Sequence, residues 1–375
     1  MREPDVCVLH IAAREREALE TLCHTMQVIS ALGVGQVLLL LDEVIGADRA
    51  RLAVPAAEVR RLRYSGSSIG GKIRALQQEL ARLAHERSVY AVHMHGAQPC
   101  LLGSRALRSR PLQVHVLYSP HLALAASPWT APVRHLVQLP FEPLEGAALT
   151  ASPAEAQALS KLFKRSADVL PHPVTDLFFE AARQDAQRPG VLAEGTGAEA
   201  LDVVSRLCVL LNGRDARLPF SWLGEASARA REQLAAAGIE LLEPRDDLDR
   251  ARALSRAWVF IHISAERRVP AALAQAMAAG LPCLVSDTSV HRALIRHGET
   301  GFVCTSERDF LEKLVLLLRD PSERRQMGEA ARAEAERCFR LRQFEKAILR
   351  VYGFSRSQPT RAPRLAAASS ASHAR

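Results

Sequence analysis

The residues best suited to chemistry lie close together in a short span, 257–304. Arg267 and Arg268 stand just ahead of Pro270, with Ser264 and Glu266 on their other side. A guanidinium forks its donors to match a phosphate bidentately, and a helix N-terminus adds unpaired N–H groups and partial positive charge. Gln275 is the one polar side chain in the apolar run 271–279. A helix apolar all round is buried, and an unpaired buried amide costs about 1–3 kcal/mol. Gln275 therefore either bonds backbone nearby or faces a site that a ligand completes. The chemistry this set favours is the grip of an anionic ligand such as a nucleotide diphosphate.

The elements that must position these residues are a strand, a helix and a strand. Residues 258–263 form an apolar run of strand length broken only by His262, and 282–285 form a second, ending in Ser286 and Asp287. Pro270 suits the first helical turn and Gly280 the C-terminal cap. The loop 265–269 then lies at the carboxyl end of a strand, where open α/β sheets bind ligands.

The same alternation runs through the chain. Strands are expected over 5–11, 36–41, 59–64, 90–95, 113–117 and 147–151, with helices over 15–32, 72–87, 101–108 and 153–163. Pro171, Pro173 and the polar run 183–189 mark a boundary. Beyond it, strands near Val191, Phe220, Ile239, Trp258, Pro282 and Phe302 alternate with helices, and three helices follow over 309–319, 321–338 and 341–352. At 375 residues the chain exceeds the size of one usual core. The fold class is α/β, with two doubly wound Rossmann-like domains. Residues 355–375, rich in Ser, Ala and Arg without apolar periodicity, read as a disordered tail.

Composition narrows the function. With 48% apolar and 24% charged residues the chain is not a disordered one. Its seven cysteines lack metal-site spacing and fit a reducing cytoplasm. The charged residues 1–5 precede a run too short for a signal core, and no stretch reaches the 18 apolar residues of a membrane span. A net charge of +8 calls for an anionic partner. With four tyrosines, three tryptophans and no recognisable module, nucleic acid is the weakest such partner. Lys161, Lys164 and Arg165 flank Phe163 and read as a solvated helix face or as a peripheral contact with anionic lipid. Residues 66–72, GSSIGGK, have phosphate-loop spacing, but Ile73 stands where Ser or Thr would hold Mg²⁺, so a turn into a helix is the better reading. His93 and His95 share one strand face without an evident third metal ligand, which favours a structural role.

In its second half the chain resembles the nucleotide-sugar-binding region of glycosyltransferase family four, the group 1 glycosyl transferases of GT-B fold. Ser264, Pro270, Ala276-Met277-Ala278, Gly280, Pro282, Ser286-Asp287, Gly298 and Gly301 match the family pattern at its spacing. Weaker likeness covers 92–96 (VHMHG), Ser119-Pro120-His121 and the linker from Leu170 to Phe179, so that 85–352 is covered in all. The resemblance implies an acceptor-side domain over 1–172, a nucleotide-sugar-binding domain over 173–339, a crossover helix over 340–354, and a donor cleft between the domains. It implies a retaining, metal-independent transfer of a sugar from a nucleotide-sugar to a hydroxyl, with no further cofactor. Its acceptors would be lipid-linked or polysaccharide intermediates of the envelope, met in the cytoplasm or at the inner face of the membrane. Carried over, His121 and Glu266 become catalytic, Ser264, Arg267, Arg268, Pro270, Gln275 and Ser289 bind the donor, and His95 and Gly96 lie on the acceptor side.

The departures fall in the donor site. The family's two glutamates are replaced by Arg267 and Gln275, and the glycine between them by Arg268. Its N-terminal Gly-Gly loop is replaced by Ala12-Ala13-Arg14-Glu15, and GVLAE (190–194) stands where an Arg and a Lys would grip the diphosphate. Three readings stay open: a transferase, a catalytically silent partner of the same fold, and an enzyme that takes another phosphorylated ligand.

Overall fold

The structure is a computed structural model that describes residues 6–13, 16–42, 54, 57–64, 68–109, 112–120, 146–151, 156–157, 159–160, 166–170, 172–180, 190–213, 218–265 and 270–354. It divides into two units, the first made of 1–150, 156–170 and 345–375, the second of 151–155 and 171–344.

The first unit is a seven-stranded sheet in the order β3-β2-β1-β4-β5-β6-β7, from β1 Val6–Ala12, β2 Gly35–Leu40, β3 Ala57–Arg61, β4 Ser88–His95, β5 His115–Ser119, β6 Ala147–Thr150 and β7 Ala167–Val169. Every pairing is parallel. Helices α1 Arg16–Ala31, α2 Ile69–Glu86 and α3 Ala97–Ser109 accompany it. Strands β1 and β2 are buried along nearly their whole length because a parallel sheet is covered on both faces, with His10 and Gln36 the polar breaks in otherwise apolar runs. β7 was not expected: three residues, none of them fully buried, leave no apolar run to read.

The second unit has six parallel strands, β8 Val191–Gly195, β9 Phe220–Leu223, β10 Glu240–Leu242, β11 Val259–Ile263, β12 Cys283–Ser286 and β13 Gly301–Cys304, in the order β10-β9-β8-β11-β12-β13. This is the doubly wound Rossmann order, with its switch point between β8 and β11. The helices are α4 Asp176–Glu180, α5 Ala198–Asn212, α6 Ala228–Ala236, α7 Asp247–Ser255, α8 Ala271–Ala278, α9 Ser289–Leu294, α10 Glu307–Arg319 and α11 Pro321–Phe339. Alternation along the strands sends Leu192 and Phe260 to a core with α8 and α11, and Val191, Ala193, Val259 and Ile261 to a core with α5 and α10. α8 is buried nearly all round, as its sequence requires. It ends at Gly280, whose φ of 78° lets the amides of Gly280 and Leu281 bond back to Met277 and Ala276 at 2.9 and 3.1 Å. Arg324 of α11 lies 3.7 Å over the Trp258 ring and donates to the Leu317 carbonyl at 2.7 Å.

A last helix, α12 Leu341–Tyr352, starts in the second unit and passes at Glu345 into the first. There Tyr352 is fully buried, its carbonyl accepting from the Tyr90 hydroxyl at 2.8 Å. The tail, 355–375, and most of the helix expected over 153–163 lie outside the described residues. Among the described residues no helix is long and apolar enough to cross a membrane.

Candidate functional site

The carboxyl ends of β8 and β11 hold a group of polar side chains beside an apolar core. Glu194 and His262 are register partners on these two strands and point to the same face as Leu192 and Phe260. Arg250, brought over them by α7, donates from Nη2 to Glu194 Oε2 and from Nε to Gln275 Oε1 at 2.5 Å. Gln275 thus finds an arginine, where backbone or a ligand was expected. Because Nε–H can only donate, the bond fixes the amide: Oε1 faces Arg250 and the NH₂ is left to donate elsewhere. Burial pushes the Glu194 carboxyl up from its ordinary value, against the lowering effect of Arg250.

Next to this group runs a chain of hydrogen bonds with defined direction. Ser286 Oγ accepts from the Ser264 amide at 3.1 Å and donates to the Ser264 carbonyl at 3.0 Å, which uses its one proton. His291 Nδ1 therefore carries a hydrogen and donates it to the Ser286 carbonyl at 2.7 Å. Its Nε2 is then an acceptor, so His262 Nδ1, 3.0 Å away, is the donor, and neutral His262 keeps its lone pair on Nε2. Burial, with the charges of His291 and Arg250, lowers the His262 pKa to about 3. Burial lowers that of His291 too.

Of the donor residues expected from sequence, Ser264 is buried and its hydroxyl bonds that of Thr196 at 2.8 Å. Pro270 sits one place earlier than expected, as the N-cap of α8, its carbonyl accepting from the amides of Leu273 and Ala274 at 3.1 and 3.3 Å. Ser289 is exposed at the start of α9, where Thr288 is the capping residue. His121, Glu266, Arg267 and Arg268 lie outside the described residues. Among the described residues no side chain caps the start of α5, at Gly197, or of α8, which leaves first-turn amides at both without a described side-chain partner.

His95 and Gly96 are in the first unit, at the end of β4. Gly96, with φ 98°, turns the chain into α3 while its amide donates to the Ser119 carbonyl at 2.8 Å. Three buried histidines meet there, His10, His93 and His95, with ring nitrogens within 4.8 Å of one another. His10 is thus the third member that the pair of His93 and His95 lacked in the sequence. Three imidazoles suit zinc, yet these rings are already bonded. Gln36 donates to the Met26 carbonyl at 2.9 Å, which turns its oxygen toward His10 Nε2 at 3.1 Å, and His10 Nδ1 then accepts from His95 Nε2 at 3.1 Å. His93 meets Tyr352 Oη at 2.6 Å and Ser119 Oγ at 2.8 Å. Burial lowers the His10 pKa to about 4. Of the stretch with phosphate-loop spacing, residues 68–72 are described, and the Ser68 and Lys72 side chains find partners within the chain. Ser68 caps α2 by accepting from the Gly71 amide at 3.1 Å, and Lys72 turns to Asp42 at 3.8 Å and to the Tyr64 ring.

Sequence reasoning missed Glu194 and Arg250 as site residues. Glu194 gave a signal, a carboxylate closing an apolar strand; Arg250 gave none among the arginines and aspartates of 245–256. His262 was visible only as the break in its strand.

Comparison with known proteins agrees with this fold. Residues 222–334 match the family model described as glycosyl transferases group 1. No match was found among curated protein sequences. Among solved structures, a glycosyltransferase from Rickettsia africae superposes with a TM-score of 0.72 at 14% identity, covering 93% of this chain and 98% of that one. Anabaena HepE in complex with UDP gives 0.72 at 15%, covering 93% and 99%. The sucrose-phosphate synthase of Thermosynechococcus elongatus gives 0.71 at 14%, covering 92% and 98%. At such identities the likeness is one of fold, and the fold is the GT-B pair of Rossmann-like domains.

Proposed function

From a second unit that carries a divergent group 1 glycosyl transferase region, we propose that the chain transfers a sugar from a nucleotide-sugar to a hydroxyl acceptor. The observation that carries this reading is the hydrogen-bonded group of half-buried Glu194, Arg250 and Gln275 with buried His262 at the switch point of the second sheet. It supplies from α7 the guanidinium that the sequence lacks after β8. Two of its nitrogens are fixed by Gln275 and Glu194, and Nη1, which bonds none of the described residues, would donate to a ligand oxygen. Charge developing on a leaving diphosphate would be met by this fixed donor and by the first-turn amides of α5 and α8. These groups need no metal to do so. Retention at the anomeric carbon, a donor role for Arg267, Arg268 and Ser289, and catalytic roles for His121 and Glu266 belong to the same proposal. So do an envelope glycolipid or polysaccharide as acceptor and a cytoplasmic setting, peripheral on the membrane's inner face. That Anabaena HepE was captured with UDP supports a nucleotide diphosphate as the first ligand to try.

A second reading, a silent partner of the same fold, draws on the ion pair itself: Glu194 already neutralises Arg250, so the group is balanced without a ligand. Calorimetric titration of the full chain with UDP, GDP and ADP, then with their sugar conjugates, separates the two. Micromolar affinity for one nucleotide, about 8 kcal/mol, is the expected result. No binding by any of them would leave the silent partner standing.

A further inference from the structure

Glu194 and His262 each keep one hydrogen-bond acceptor that no described residue uses. Arg250 takes Glu194 Oε2, and Oε1 has no bond among the described residues. His262 Nδ1 donates to His291, and its Nε2 lone pair likewise meets nothing described. The two side chains stand on one face of neighbouring parallel strands, about 4.8 Å apart at the backbone. Gln275 does not compete for the same role, because its oxygen is committed to Arg250.

Two acceptors on register partners of neighbouring strands call for two neighbouring donors. A cation is not called for, since Arg250 balances Glu194 and burial keeps His262 neutral across the ordinary pH range. A neutral group with neighbouring O–H bonds meets the requirement. We infer that Glu194 and His262 together receive a vicinal diol of the ligand bound by the second unit, from the ribose or from the sugar ring. The inference rests on the donor-site reading above and moves hydroxyl recognition from position 275 to the neighbouring strands. His291 is the positioning residue: by taking the Nδ1 hydrogen it holds the His262 lone pair on the ligand side.

The test uses the full chain as wild type, Glu194→Gln and His262→Asn. Glu194→Gln keeps an oxygen for Arg250 and replaces the second acceptor with a donor; His262→Asn keeps a donor toward His291 and removes Nε2. Melting curves establish that both fold. Each protein is titrated with UDP, GDP and ADP, with the 2′- and 3′-deoxy forms of the nucleotide that binds, and with its glucose conjugate and ring-deoxy analogues of it. The wild type is expected to lose about tenfold in affinity on removal of one diol hydroxyl, and both variants to bind parent and deoxy ligand within about twofold. Loss confined to the ribose analogues assigns the diol to ribose, and loss confined to the ring analogues assigns it to the sugar; either supports the inference. If the parent binds but no deoxy form is discriminated, or if both variants discriminate as the wild type does, the inference is overturned and the donor reading survives. Failure of the wild type to bind any nucleotide or conjugate overturns both.

Discussion

Replacing Arg250 with Met keeps much of the aliphatic stem and removes the charge that holds Glu194 and Gln275. The Arg250 and Glu194 side chains are 16% and 24% exposed, so the pair lies between the surface and buried limits. Breaking a buried pair costs about 3–5 kcal/mol and an exposed one about 1 or less, which places this loss at about 2–3 kcal/mol when Glu194 is charged. Protonation caps that loss. Burial already raises the Glu194 pKa, and a carboxyl raised on folding contributes stability that is fully present below its unfolded value of about 4.3 and lost as pH rises through its folded value. Without Arg250 the opposing, lowering influence disappears and the loss extends further up the pH scale. The gap between wild type and Arg250→Met is therefore smallest at pH 5 and widest at pH 8. It should reach about 4–12 °C in Tm there, at about 2–4 °C per kcal/mol for a unit of this size. Thermal denaturation at each pH measures the gap, and adding Glu194→Gln should flatten its pH dependence. An equal gap at pH 5 and pH 8 would refute the reasoning, because the stranded group could not then be Glu194.

Tyr352→Phe takes from buried His93 Nδ1 its 2.6 Å partner and should cost about 1–3 kcal/mol in urea denaturation, while the Tyr90 bond to the residue 352 carbonyl persists. Gly195→Ala would place a Cβ 2.3 Å from the Ile263 carbonyl oxygen and 2.7 Å from the Ala200 Cβ, forcing β8 and β11 apart beside Glu194. A loss of about 1–3 kcal/mol, together with weaker nucleotide binding by titration, is the expected result.

The fold was legible wherever burial on both faces leaves a continuous apolar run, as in 5–11, 36–41 and 258–263. It was illegible in β7 and in the five-residue α4, which take their form from neighbours rather than from a pattern of their own. For the site, the need of Gln275 for a partner could be read from its apolar helix, but the partner could not. Arg250 is 25 residues away on a helix of alternating charge, and only the crossover from β10 to β11 brings it over the sheet. The direction of the His262 lone pair was equally hidden, since it follows from the Ser286 carbonyl, which can only accept and so makes His291 Nδ1 the donor.

The passage of α12 from one unit to the other reverses the usual order of events on the ribosome. Domains generally fold as they emerge, the N-terminal one first. Here the second unit draws nearly all its described residues from one continuous stretch, 171–344, whereas the first waits for residues that are translated more than 170 positions after β7. Until Tyr352 arrives, His93 lacks its phenol partner, and until Val351 arrives its carbonyl cannot accept from His115 at 3.0 Å. The nascent first unit is thus an unfinished sheet with an open polar seam throughout synthesis of the second. A chain stopped at residue 344 would carry the whole of the second unit's main stretch beside a first unit that lacks these two polar contacts.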